Sequence, residues 1–257
     1  MNRALALRVT LIGLATGLLA APALAEDTHA HWSYSGATGP AHWAEEDASF
    51  TACGPGADRH QSPINIDGAA KKDLPPLQFD YKPIPLKVTD TGHSFQVNAP
   101  PGSGGISLGE DHYELVQFHF HQPSEETFHG HHYAMVAHLV HKNAKGELAV
   151  VAVQIHKGQE NAFLKPVFDD FPAKGTPDKE MPGVTLDLNS FLPRTHGYYT
   201  YEGSLTTPPC SEGVRWLELK LPVQASAAQV QEFAARYSHN ARPTQPLNGR
   251  TVAESKD

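Results

Sequence analysis

Polar and apolar positions alternate most clearly in the run from Tyr113 to His121. There Phe118 and Phe120 fall on one face of an extended chain, and Gln117, His119 and His121 fall on the other. Apolar-rich runs from Tyr133 to His141 and from Leu148 to His156 follow. They are parted by Lys142-Asn143-Ala144-Lys145-Gly146, which reads as a hairpin turn. Upstream, Leu86 to Thr89 and Ser94 to Asn98 flank a turn at Asp90-Thr91-Gly92, with His93 at its exit. Pro75, Pro76, Pro83 and Pro85 exclude a helix through their stretch. Two helices are predicted. One lies around Glu160 to Phe168. The other starts at the capping-box pattern Ser226-Ala227-Ala228-Gln229 and runs to about Tyr237, with Val230, Phe233, Ala234 and Tyr237 as its apolar stripe. No repeat or linker interrupts the chain, which reads as one domain.

Composition supports short strands and many turns: 257 residues carry 21 Gly and 21 Pro, and only 19% are charged. The formal net charge of −8 argues against a nucleic-acid surface. The first 25 residues are expected to be a signal peptide. Arg3 and Arg8 precede an apolar run from Val9 to Ala20, and Ala23-Leu24-Ala25 offers small-residue cleavage. The run is too short to favour a membrane anchor. Residues 26–257 then form the mature domain, in a bacterial periplasm or secreted, with 18 basic residues left against 28 acidic ones. In an oxidising compartment the two cysteines, Cys53 and Cys210, most simply form one disulfide, the alternative being free thiols or a metal ligand.

His119 and His121 leave the same strand face about 7 Å apart, a reach from which two rings can converge on one ion. The bland alternative is a pair of strand histidines beside a polar groove. A third imidazole from the next strand would complete a three-nitrogen site with one open position. His138 and His141 differ by three, so only one of them can face the site, and the pattern does not say which. The absence of His-Glu-x-x-His removes the commonest metalloprotease signature.

Four motifs in order resemble the α-class carbonic anhydrases: Gln117-Phe-His-Phe-His121, Ser124-Glu-Glu-Thr127, His138-Leu-Val-His141 and Ser204-Leu-Thr-Thr-Pro-Pro-Cys210. Trp32-x-Tyr34, Gly39-Pro-x-His-Trp43, Gln61-Ser-Pro-Ile-Asn-Ile66, Gly92-His93 and Arg242-Pro-x-Gln-Pro-Leu247 extend the match over essentially the whole mature chain. The signal peptide and cysteine pair look like the exported bacterial branch.

That resemblance implies a mainly β fold with short helices (α+β), built on a large, mostly antiparallel twisted sheet. It implies one zinc ion per chain on His119, His121 and His138, with reversible hydration of carbon dioxide to bicarbonate and a proton by hydroxide generated there. Thr206 would orient the hydroxide and Glu125 would accept the threonine's proton. His93 would shuttle protons to buffer. Gln117 and the backbone carbonyl of Asn240 would support His119 and His121. Val140, Val150, Leu205 and Trp216 would form the apolar substrate wall. Tyr34, Thr91, Gln96 and Thr207 would line a polar side with ordered water. A homodimer is consistent with the bacterial branch, although no interface is legible. One position departs from the family. Val136 stands where a glutamate usually supports the third ligand, so that ligand is expected to be less well oriented, or rescued by water or an unrecognised neighbour. The competing readings are an acatalytic binding protein that keeps the fold, and a periplasmic zinc-binding protein using the histidine-rich surface. The first typically loses a ligand histidine, whereas all three are present. The second predicts several metals per chain.

Overall fold

The strand predicted from Tyr113 spans Asp111–His121, and the two apolar runs after it form the strands Met135–Lys142 and Leu148–Lys157, joined by the predicted hairpin turn. The computed structural model of the chain describes residues 31–56, 58–169, 171 and 178–256, so the expected signal peptide lies outside the described residues. Residues 31–257 form one unit. No described helix is long and apolar enough to cross a membrane.

These strands sit in the middle of a 13-stranded sheet. Asp111–His121 pairs antiparallel with Met135–Lys142, which pairs antiparallel with Leu148–Lys157. Ile84–Asp90 and Phe95–Asn98 extend the sheet antiparallel on one side. On the other side Glu212–Leu219 joins Leu148–Lys157 in parallel and then pairs antiparallel with Tyr198–Ser204. The sheet is therefore mixed, with antiparallel pairs in the majority.

Alternation along the strands divides the interior into two clusters. Phe118, Phe120, Met135, Ala137 and Leu139 face the larger cluster, where Phe95, Phe168, Phe233 and Tyr237 also pack. Val136, Val140, Val150 and Trp216 face a smaller one on the opposite side, with Ile64, Ile66 and Tyr201. The helix Leu164–Phe168 and the helix Ala227–Tyr237 cover the larger cluster, Phe168 meeting Phe233 at 5.9 Å between ring centroids. The second helix starts where predicted. Ser226 accepts from the Gln229 N–H, and Gln229 returns a bond to the Ser226 N–H. The first helix is shorter than expected at its start, and the Asn161 side chain accepts the N–H groups of Phe163 and Leu164 where it begins.

Cys53 and Cys210 form a disulfide, closing a loop across a sequence separation of 157 residues. It lies in a third cluster with Trp43, against which Trp32, Tyr34 and Phe50 pack.

Candidate metal centre

His138 lies directly opposite His119 across the strand pair, so three imidazoles share one face of two strands. His141, three residues on, emerges on the other face, where its Nε2 meets the Tyr81 hydroxyl at 2.7 Å inside the larger core. The pairing register, which sets His138 opposite His119, thus resolves the ambiguity between the two histidines. Ring centroids are 5.1 Å apart for His119 and His121, 5.4 Å for His119 and His138, and 4.7 Å for His121 and His138. One nitrogen from each lies within 4.8 Å of the others, and no other such cluster occurs among the described residues.

Two of the three outward nitrogens are occupied. His119 Nδ1 is 2.8 Å from Gln117 Oε1, and His121 Nδ1 is 2.7 Å from the Asn240 carbonyl oxygen. Both partners are acceptors, so each Nδ1 carries the proton and each Nε2 keeps a lone pair. His121 Nε2 is buried and has no hydrogen-bond partner. Burial, followed by the nearby His138, lowers the His119 pKa to about 3. Burial and the two neighbouring rings hold His121 well below the ordinary histidine range. Three imidazoles converging on one place fit a nitrogen-preferring divalent ion with one position left for a reactant.

A buried acid lies beside this point. Glu125 Oε2 is 3.4 Å from His121 Nε2 and 3.8 Å from His138 Nδ1. The Arg242 backbone N–H donates to Glu125 Oε1 at 2.8 Å. Burial and then the Glu126 charge raise the Glu125 pKa well above the carboxylate range, while that N–H and a hydrogen bond from the Thr206 hydroxyl oppose the rise. Thr206 and Glu125 are therefore brought together as the motifs implied.

Val140, Val150, Leu205 and Trp216 gather in the smaller apolar cluster. Trp216 meets the His138 ring edge-on at 4.9 Å, and its indole N–H is spent on the Ser204 carbonyl at 3.0 Å. That wall offers apolar surface and no free donor.

The family model described as eukaryotic-type carbonic anhydrase matches residues 38–256. The chain belongs to the eukaryotic-type carbonic anhydrase family. It is 44% identical over 227 residues to the carbonic anhydrase of Klebsiella pneumoniae, covering 87% of this chain and 91% of that one. The carbonic anhydrase of Nostoc sp. is 40% identical over 230 residues, covering 88% of this chain and 86% of its own. The solved structure of Photobacterium profundum α-carbonic anhydrase matches with a TM-score of 0.81 at 41% identity, covering 87% of this chain and 100% of that chain. Carbonic anhydrases act on carbon dioxide and bicarbonate, and this chain is an enzyme of that family.

The other residues expected at the site are held by local contacts. His93 stacks on Trp32 at 3.5 Å with an interplanar angle of 14°, and Tyr34 lies edge-on at 6.3 Å. The Thr91 hydroxyl closes the turn that carries His93, donating to the Ser94 carbonyl at 2.7 Å and accepting the Ser94 N–H at 3.0 Å. Gln96 sits opposite His119 in strand register and gives its amide to Asn98 at 2.7 Å. The Thr207 carbonyl accepts the Cys210 N–H at 2.9 Å, holding the turn after Thr206.

Three contributors escaped the reading of the residues. The Asn240 side chain, beyond its expected carbonyl, donates to the carbonyls of His93 and Phe120 at 3.1 Å each, tying the His93 turn to the histidine strand. Arg242 is fully buried. Its guanidinium donates to Gln61 Oε1 and the Ser62 carbonyl at 2.8 Å and to the Cys53 carbonyl at 3.1 Å, over the Trp43 ring. Burial lowers its pKa to about 10, which still leaves it cationic at neutral pH. Its one sequence signal was a basic residue inside the Arg242-to-Leu247 motif. Glu126 is the third, a fully buried acid whose Oε2 lies 3.5 Å from His138 Nε2. Its signal was the doubled acid Glu125-Glu126, of which an extended chain would turn only one toward the site.

Proposed function

We propose that this chain hydrates carbon dioxide reversibly at a single zinc ion held by His119, His121 and His138. The convergence of three buried or half-buried imidazoles, two with their outer nitrogens already committed, carries the reading. Zinc on three imidazoles supplies a Lewis acid that brings the pKa of water to about 7, making hydroxide available at neutral pH.

The chain's own residues do the rest. Thr206 gives its proton to Glu125, so its oxygen has only lone pairs to offer and accepts from a reacting hydroxyl. That leaves the hydroxyl's nucleophilic lone pair free to face Val140, Val150, Leu205 and Trp216. A neutral, non-polar gas needs a dry wall there and no hydrogen bond. Glu125 is held in place to accept from Thr206 by the Arg242 N–H, and both of these hydrogen bonds oppose the rise in pKa that burial imposes on it. His93, half-buried beside Trp32, exchanges the released proton with buffer, imidazole being the side chain suited to proton transfer near neutral pH. Tyr34, Gln96, Thr91 and Thr207 would support ordered water on the polar side. Met1 to Ala25 acts as an export signal, and the Cys53–Cys210 disulfide suits an oxidising compartment.

Stopped-flow hydration of carbon dioxide, with and without a zinc chelator, tests the proposal. Fast hydration that the chelator abolishes and added zinc restores is the expected result. A chain with no chelator-sensitive activity would overturn it.

A further inference from the structure

His138 is the one member of the triad whose outer nitrogen has no conventional partner. His119 leans on Gln117 and His121 on the Asn240 carbonyl, but His138 Nε2 is buried without a hydrogen bond. Val136, two residues earlier on the same strand face, presents only methyl groups and is itself fully buried. Trp216 covers the ring edge-on, with its N–H directed elsewhere.

One group can complete the set. Glu126 Oε2 is 3.5 Å from His138 Nε2, and it too is a buried oxygen without a hydrogen-bond partner. Two orphaned buried polar atoms facing each other, one able to donate and one able to accept, are each other's natural partners. The other Glu126 oxygen receives the Tyr201 hydroxyl at 3.4 Å. The main chain also holds the glutamate in place. The Ser124 hydroxyl donates to the Glu126 carbonyl at 2.9 Å, and the Tyr133 N–H donates to the Ser124 hydroxyl oxygen at 2.9 Å. These bonds fix the loop that presents the acid to the ligand.

We infer that Glu126 is the positioning residue of the third histidine. Approaching from the loop after the Asp111–His121 strand, it accepts the His138 Nε2–H, so that Nδ1 is the nitrogen kept free for the metal. It performs from outside the strand what Val136 cannot perform from within it. The inference rests on the zinc reading proposed above. It makes a specific demand: the acceptor has to be near His138, and either of two positions can supply it.

Four forms of the chain test this through the rate at which zinc passes from the loaded protein to a chromogenic chelator. Glu126→Met preserves bulk without an acceptor, and should release zinc 10- to 100-fold faster than wild type. Glu126→Gln keeps an acceptor oxygen and should stay within several-fold of wild type. Glu126→Met combined with Val136→Glu moves the carboxylate onto the ligand's own strand and should recover the slow rate. A merely structural role would treat Met and Gln alike and would gain nothing from a second buried substitution. Wild-type release from Glu126→Met, or no recovery in the double variant, overturns the inference while zinc-dependent hydration by the wild type stands. A wild-type chain that holds no zinc overturns both readings.

Discussion

His138 and His141 sit three residues apart on one strand, are both fully buried, and have opposite fates. His138 faces two other imidazoles, two glutamates and an apolar wall. His141 faces the large aromatic core, where Tyr81 takes its Nε2 and stacks parallel to it at 5.8 Å. Burial holds His141 near a pKa of about 3, much as it does His119. Low basicity and burial therefore do not mark a metal ligand, since both faces produce them. The difference lies in what the lone pair meets. On the core face a hydroxyl consumes it; on the site face it points at other lone pairs, an arrangement that only a cation makes favourable.

The largest effect should come from exchanging these two residues for phenylalanine one at a time. His138→Phe should lose tightly held zinc and all chelator-sensitive hydration, measured by metal content after dialysis and by stopped flow. His141→Phe should keep both. Equal losses in the two variants would mean that the faces are not independent.

Next in size is the covalent tie on the site side. The disulfide anchors the segment whose Cys53 carbonyl receives Arg242, and Arg242 in turn holds Glu125. With a sequence separation of 157 between its ends, its loss should lower unfolding stability by about 5 kcal/mol at the entropic limit. Comparing the denaturant midpoint of the oxidised chain with that of Cys53→Ala/Cys210→Ala measures this. An unchanged midpoint would show that the hydrogen bonds suffice.

A smaller cost attends the core histidine. His141→Phe leaves the Tyr81 hydroxyl without its partner, which should cost about 1–3 kcal/mol at pH 7. The sign then changes with pH. A histidine whose folded pKa is about 3, against 6.5 unfolded, contributes stability that is intact above 6.5 and lost as pH falls toward 3. By pH 5 the wild type should have lost about 2 kcal/mol to this one group, and the variant should be spared that loss. Chemical denaturation of the two proteins from pH 7 to 4.5 should show their curves converging. Parallel curves would show that His141 does not resist protonation.

How far the two faces were legible follows from the range of the interactions that make them. Alternation at Phe118-His119-Phe120-His121 names its own faces because neighbours in a strand necessarily oppose each other. The Ser226 capping box was equally local and appeared bond for bond. The choice between His138 and His141 was not local. It depends on which side of the sheet the rest of the chain covers with aromatic side chains. Glu126 was harder still, because its approach to His138 is set by a loop that leaves the sheet and returns to it. Arg242 reaches Gln61 and Ser62 across about 180 residues, and no periodicity records a bond of that kind.

The smallest effect separates the ligands themselves. Gln117 and Glu126 each meet the outer nitrogen of a histidine, yet their rings differ in access. His119 is half-buried, whereas His138 is 1% exposed and sealed by Trp216. When Gln117→Ala removes the acceptor at His119, water can reach the vacated place and accept the Nδ1–H in its stead. When the acceptor at His138 is removed, the surrounding methyl groups and indole offer nothing. Gln117→Ala should therefore speed zinc release by no more than about tenfold, the low end of what lost ligand support costs. The same chelator-transfer assay used for Glu126 measures it on the same scale. If Gln117→Ala releases zinc faster than Glu126→Met, solvent access is not what distinguishes the two ligands, and the burial of His138 loses its explanatory role.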